Sequence, residues 1–186
     1  MPPLQSSMIP LGTRCPSFDL PDPRGFRMSD RDASGRPLLV LFLCNHCPFV
    51  KHIRAEVASL GREYAARGVA IAAISANDPV SHPDDAPEKM VAEACEAGYV
   101  FPYLFDADQS VARAFDAQCT PDIFLFDAAH RLVYRGQLDD SRPKNGLPVT
   151  GRDLRAALDA VLAGRAPSAE QMPSIGCSIK WRVAAG

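Results

Sequence analysis

The chain has 186 residues, 47% of them hydrophobic and 23% charged, an ordinary globular balance that favours one domain with a core of useful size. A formal net charge of −2 leaves no electrostatic footprint for nucleic acid or an anionic membrane. Six cysteines do not form the dense array of a secreted disulfide scaffold, and no apolar run reaches the ~18 residues of a membrane span.

The opening "MPPLQSSMIPLGTRCP" has no basic start and no apolar run of signal-peptide length. The expectation is a cytoplasmic protein whose cysteines are reduced by default. "PSFDL" (16–20) and "GFRMS" (25–29) alternate apolar and polar residues around the turn signal "PDPRG", which predicts a β-hairpin. "PLLVLFL" (37–43) is a continuous apolar run, suited to a central strand covered on both faces. From Cys47 the period changes. Phe49, Val50, Ile53, Val57, Leu60 and Tyr64 share one face of a helix that ends near Gly68.

"VAIAAIS" (69–75) is a second buried strand, and "NDPVSHPDDAP" is a loop. Residues 87–97 predict a helix with Asp85 as a cap and Gly98 as its stop. A short strand at 100–106 and a short helix at 108–117 follow. "DIFLFD" (122–127) and "RLVYRGQL" (131–138) form two closely joined strands, then a polar loop leads to an amphipathic helix over 151–164. Alternation in the first half predicts parallel strands with crossover helices; the late pair predicts an antiparallel hairpin added to the same sheet. Residues 1–186 therefore read as one α/β domain, with 1–36 an N-terminal hairpin extension and 165–186 a C-terminal tail.

Chemistry concentrates in "LFLCNHCPFVKHI" (41–53), where Cys44 and Cys47 straddle Asn45 and His46. A CxxC where a buried strand hands over to a helix lies at unpaired backbone N–H groups and the positive end of the dipole. That setting lowers a thiol from ~8.5 toward ~3.5–7.5. Cys44 is thus expected to be the attacking thiolate, and Cys47, deeper in the helix, to resolve the mixed disulfide. His46, a cation beside the thiolate, is expected to lower its pKa further and make the disulfide more oxidising. Pro48 suits the first helical turn. The bland alternatives are structural pairing and a zinc site. Zinc needs two more ligands, and without a second CxxC or HxxxH only Cys119, Cys177, His46 and His52 are available.

The second constellation is "QCTPDIFLF" (118–126). Strand–CxxC–helix, followed by Thr-Pro before a hairpin and a terminal helix, resembles the thioredoxin fold. "CPSFDLPD…GFRMSD", "CNHCPFVKH", "CTPDIFLFD", "YRGQLDDSRP" and "PSIGCSIKW" together resemble the AhpC/TSA-related, peroxiredoxin-like branch that includes ResA-like proteins. The resemblance implies a cis Thr120–Pro121 bond beside the two cysteines. It also implies that the backbone of Thr120 and Pro121 pairs with bound substrate as an extended strand.

Within that resemblance the sequence departs from two patterns. Peroxiredoxins carry PxxxTxxC around the peroxide-attacking cysteine. Counting back from Cys44 meets Pro37 but Leu41 at the Thr position; counting back from Cys47 meets Cys44 and Val40. Compared with thioredoxin, Leu43 replaces a Trp, and Asn45-His46 replace Gly-Pro.

The reading is a thiol–disulfide oxidoreductase acting on protein or small-molecule disulfides, with no organic cofactor and a thioredoxin- or glutathione-type electron donor. The alternatives are a thiol-dependent peroxidase and a metal-binding or carrier module using the CxxC with Cys119 or Cys177. Cys119 and Cys177 are candidate auxiliary thiols, the latter in a tail that reads as mobile. Cys15 and Cys95 read as packing residues.

Overall fold

The structure, a computed structural model, describes residues 3–183. Residues 1–2 of the N-terminal extension and 184–186 of the tail lie outside the described residues. The central sheet has five strands: β4 (Leu38–Phe42), β5 (Ala70–Ser75), β6 (Tyr103–Phe105), β8 (Asp122–Phe126) and β9 (Leu132–Arg135). Their spatial order is β6-β5-β4-β8-β9. β4, β5 and β6 run parallel; β8 is antiparallel to β4, and β9 to β8. Helices α1 (Pro48–Ala66), α2 (Pro87–Ala97), α3 (Ser110–Ala114) and α4 (Arg152–Leu162) complete the layers. This is the mixed-sheet thioredoxin fold that the sequence implies.

The run Leu38–Phe42 is wholly buried because β4 lies mid-sheet and both its faces are covered. Side chains alternate across a strand, so β4 feeds two cores. Leu39 and Leu41 pack with Val50, Ile53 and Val57 of α1 and with Leu158 of α4. Leu38, Val40 and Phe42 pack on the other face against Phe18, Phe115 and Phe124. Phe18 and Leu20 come from the N-terminal hairpin of β2 (Asp19–Asp22) and β3 (Phe26–Ser29), which closes that face.

α1 and α4 lie where the sequence places them, whereas α3 covers only Ser110–Ala114 of the helix expected over 108–117. In α1, Val50, Ile53, Val57, Leu60 and Tyr64 are buried, while Phe49 is half-buried. α2 stops where Gly98 takes a left-handed φ of 71°, which an unbranched backbone adopts without strain. Cys95 is exposed rather than packed: only Met90 and Ala94 of α2 are buried, so its core-facing stripe is narrow.

Three short strands have no counterpart in the sequence reading. β1 (Leu4–Gln5), β7 (Cys119–Thr120) and β10 (Ile175–Ser178) form a second sheet in the order β1-β10-β7, antiparallel throughout. The tail that reads as mobile is thus held as a strand between two partners. No helix among the described residues is long and apolar enough to cross a membrane.

Phe115 is 0% exposed and meets Phe42, Phe124 and Phe126 edge-on, with centroids 5.4, 5.5 and 6.0 Å away. Phe115→Ala is expected to destabilise the fold by about 3–5 kcal/mol, read as a lower urea midpoint with an unchanged slope.

Candidate active site

The register Phe42↔Asp122 brings the C-terminal end of β4 beside the Thr120–Pro121 segment. Beyond Phe42 the chain turns through Cys44–Cys47 and enters α1 at Pro48, which occupies the first helical turn as expected. The Thr120–Pro121 peptide is cis. Thr120 then touches both sulfurs: its Oγ1 is 3.1 Å from Cys44 Sγ, and its carbonyl oxygen lies 3.2 Å from Cys47 Sγ. The structure brings Cys44, Cys47, Thr120 and Pro121 together as the sequence suggests. Cys44 and Cys47 are free thiols in hydrogen-bonding contact with each other.

One detail of the helix boundary changes the electrostatics. The residue at the helix N-cap is Cys47, not Cys44. Cys47 Sγ therefore receives a free N–H of the first turn, from Val50, alongside the Cys44 thiol and the Cys177 thiol and N–H. The Cys44 hydrogen bond leads; burial opposes it, and together the donors hold the Cys47 pKa down at about 5. Cys44 goes the other way. Its hydrogen bond to Cys47, its burial and the negative charges of Asp85 and Cys47 push it well up, against the Thr120 hydroxyl. The expectation that Cys44 is the low-pKa thiol is reversed here: Cys47 is the one held down and Cys44 the one pushed up, and the leading cause of both is the hydrogen bond between the two sulfurs rather than the helix N-terminus.

His46 is also differently employed. Its Nδ1 donates to Asp85 Oδ2 at 2.5 Å. Asp85 is 0% exposed and also accepts from Asn45 N–H at 2.7 Å, His46 N–H at 3.3 Å and Asn77 Nδ2 at 2.8 Å. Burial pushes the Asp85 carboxyl up, but His46 and the other donors outweigh it and hold it below the usual range. The Asp85 bond in turn raises His46 above its usual value, against partial burial. His46 is thus paired with a carboxylate, and the charges that push Cys44 up are those of Asp85 and Cys47. This removes the reason for expecting His46 to make the disulfide more oxidising. The His46 ring stacks on His82 at 5.0 Å.

Asp85 is the functional residue that sequence reasoning missed. It reads there as a cap for α2, whereas Ala86 holds that position and the Asp85 side chain points under the CxxC turn. Asn45, reaching the Asp84 carbonyl and accepting from Tyr103 Oη, locks the two segments together. Cys119 Sγ bonds the Pro121 carbonyl at 3.5 Å, and burial pushes its thiol up, so it packs behind the site. Cys177 lies on the opposite side, touching Cys47. Cys44, His46 and Asp85 place one potential ligand atom each within 4.8 Å of one another. Asp85 is already satisfied by four hydrogen bonds, however, and Cys119 is outside the cluster.

The sheet order, the dithiol between β4 and α1 and the cis-proline against it define a redox-type thioredoxin-fold protein. The chain belongs to the AhpC/TSA family, whose model matches residues 11–135. It is 51% identical to an uncharacterized conserved protein from Geobacillus kaustophilus, with a TM-score of 0.97 over 100% of this chain and 99% of that one. It is 50% identical to a hypothetical protein from Sinorhizobium meliloti 1021, with a TM-score of 0.95 over 97% and 99%. A thiol:disulfide interchange protein from Chlorobium tepidum TLS shares the fold at 18% identity, with a TM-score of 0.64 over 81% and 97%. No curated protein matches the sequence.

Two measurements check these electrostatics. Asp85→Asn is expected to return the His46 titration toward its usual 6.5, followed by NMR of the ring. Because the His46 pKa is raised in the fold, its contribution to stability is full below that usual value and fades as pH rises through the folded one. The wild-type minus variant stability difference should therefore shrink above neutrality. Cys44→Ala is expected to raise the Cys47 pKa by roughly 1–2 units, read from thiolate ultraviolet absorbance against pH.

Proposed function

We propose that this protein is a thiol–disulfide oxidoreductase working through Cys44 and Cys47. The observation that carries the reading is one residue, Thr120, contacting both sulfurs beside a cis-proline, with the two thiols bonded to each other. Cys44 donates its proton toward the Cys47 anion and attacks one sulfur of a client disulfide. The client's other sulfur leaves as a thiolate and takes that proton from Cys47, which becomes a thiolate again. Cys47 then attacks Cys44 Sγ, forming the Cys44–Cys47 bond and releasing the second client thiolate. A donor of thioredoxin or glutathione type reverses the sequence to restore the dithiol.

Access is restricted. Cys44 and Cys47 are 1% and 0% exposed. β10 pairs with the Thr120 edge that the fold reserves for an extended client. A client therefore has to displace β10 before it reaches Cys44.

A second reading, peroxide reduction, draws on the Thr120 hydroxyl at Cys44. It is the weaker one, because the PxxxTxxC pattern fails in both frames: Leu41 stands at the Thr position counted from Cys44, and Cys44 and Val40 stand at the Thr and Pro positions counted from Cys47.

The test is catalysed reduction of a model protein disulfide with dithiothreitol as donor. Wild type is expected to accelerate it, Cys44→Ser to abolish the acceleration, and Cys47→Ser to trap a mixed disulfide on Cys44. No acceleration, with rapid hydrogen peroxide consumption under a thioredoxin recycling system, would reverse the order of the two readings.

A further inference from the structure

The C-terminal strand places a third sulfur beside the dithiol. In β10, Cys177 is the antiparallel partner of Thr120, and Ser178 the partner of Cys119. The Cys177 thiol and its backbone N–H both reach Cys47 Sγ, which also takes the Cys44 thiol. Cys47 is therefore the middle sulfur of three. Cys177 is the half-buried member, whereas the other two are buried.

The approach is built in. A Cβ on Gly176 would come within 2.0 Å of the Thr120 carbonyl oxygen and 2.5 Å of its carbon, so only glycine lets the strand come this close. The strand is also anchored on both sides. Ser174 Oγ donates to the Gly136 carbonyl at 2.6 Å, and Ser6 N–H to the Ser174 carbonyl at 3.0 Å. Beyond the strand, Ile179 N–H donates to the Gln118 carbonyl at 3.2 Å and Lys180 N–H to Asn77 Oδ1 at 2.8 Å. A sulfur held this way has a high effective concentration at its neighbour.

We propose that Cys177 is a third redox thiol, carried on a strand that occupies the client's edge, and that it exchanges with the Cys44–Cys47 disulfide. The proposal rests on the oxidoreductase reading. In the step, Cys177 thiolate attacks Cys47 Sγ. The Cys47–Cys177 bond forms as the Cys44–Cys47 bond breaks, and Cys44 leaves as a thiolate that takes up the proton Cys177 released. One disulfide is made and one lost, so no oxidant or reductant is consumed. The product pins β10 over the Thr120 edge and leaves the chain latched with Cys44 reduced. Burial raises the Cys177 thiol to about 12, so the exchange speeds up with pH.

The test is disulfide mapping of the full chain after one equivalent of diamide, acid quench and alkylation. Cys177 falls on a different tryptic peptide from Cys44 and Cys47, so a cross-linked pair reports it directly. Wild type is expected to show both the Cys44–Cys47 loop and the Cys47–Cys177 cross-link with Cys44 alkylated. Gly176→Val, which forces β10 off Thr120, should lower the cross-link about tenfold or more while the loop still forms. Cys44→Ser, which leaves the strand untouched, should give the Cys47–Cys177 bond as the main product. A Cys44–Cys47 loop with Cys177 fully alkylated, and no cross-link in Cys44→Ser, overturns the third thiol while sparing the dithiol reading. Absence of both bonds overturns the two together.

Discussion

Thr120 is the constraint on which the site depends. Its hydroxyl faces Cys44, its carbonyl faces Cys47, and its backbone pairs with the strand that carries Cys177. A side chain can be replaced by another of similar shape, but a backbone carbonyl and a ladder position cannot. The three sulfurs are therefore positioned by main chain that is itself fixed by the β4–β8 register. The core beneath, with Leu39 and Leu41 packed on α1 and Ile123 beside them, holds the two elements that meet there.

The electrostatics follow from burial. A sulfur anion away from water needs donors, and the first turn of α1 supplies one to Cys47. A second anion cannot be accommodated next to it, so Cys44 keeps its proton. Asp85 adds a further negative charge close by, which is tolerable only because four donors converge on it. The arrangement holds one anion and one proton between two sulfurs, with a charged pair beside them. The pair differs in this from Cys15, which burial and, to a smaller extent, the charge of Asp30 push up to about 12.

The same geometry accounts for the closed site. An edge strand such as β7 presents unpaired backbone groups, which invite another chain to pair. Here the protein covers that edge with its own C-terminal segment, flanked on its far side by β1. Covering the edge satisfies the backbone groups and keeps the thiolate dry, but it also places a barrier in front of any client. The glycine at 176 permits the close approach of this strand to Thr120, and the cysteine at 177 meets Cys47 there.

Sequence alone determined what depends on short-range period and chemistry. The apolar run into Cys44, the helical stripe from Val50 to Tyr64 and the paired apolar runs after Thr120–Pro121 specify a buried strand, a helix and a late hairpin. Each is a pattern within a few residues, and patterns of that length survive without knowledge of the fold. Tertiary structure decided the rest. Whether Cys44 or Cys47 caps α1 is a matter of a few residues at a helix boundary, where local signals blur. Asp85 lies 40 residues from the Asn45 N–H it accepts from, in a loop with no period to betray its direction. β1, β7 and β10 are two to four residues long, too short for any alternation to register. Their pairing exists only once the core has brought both ends of the chain to the same edge, and so the meeting of Cys177 with Cys47 is written in the fold, not in the sequence.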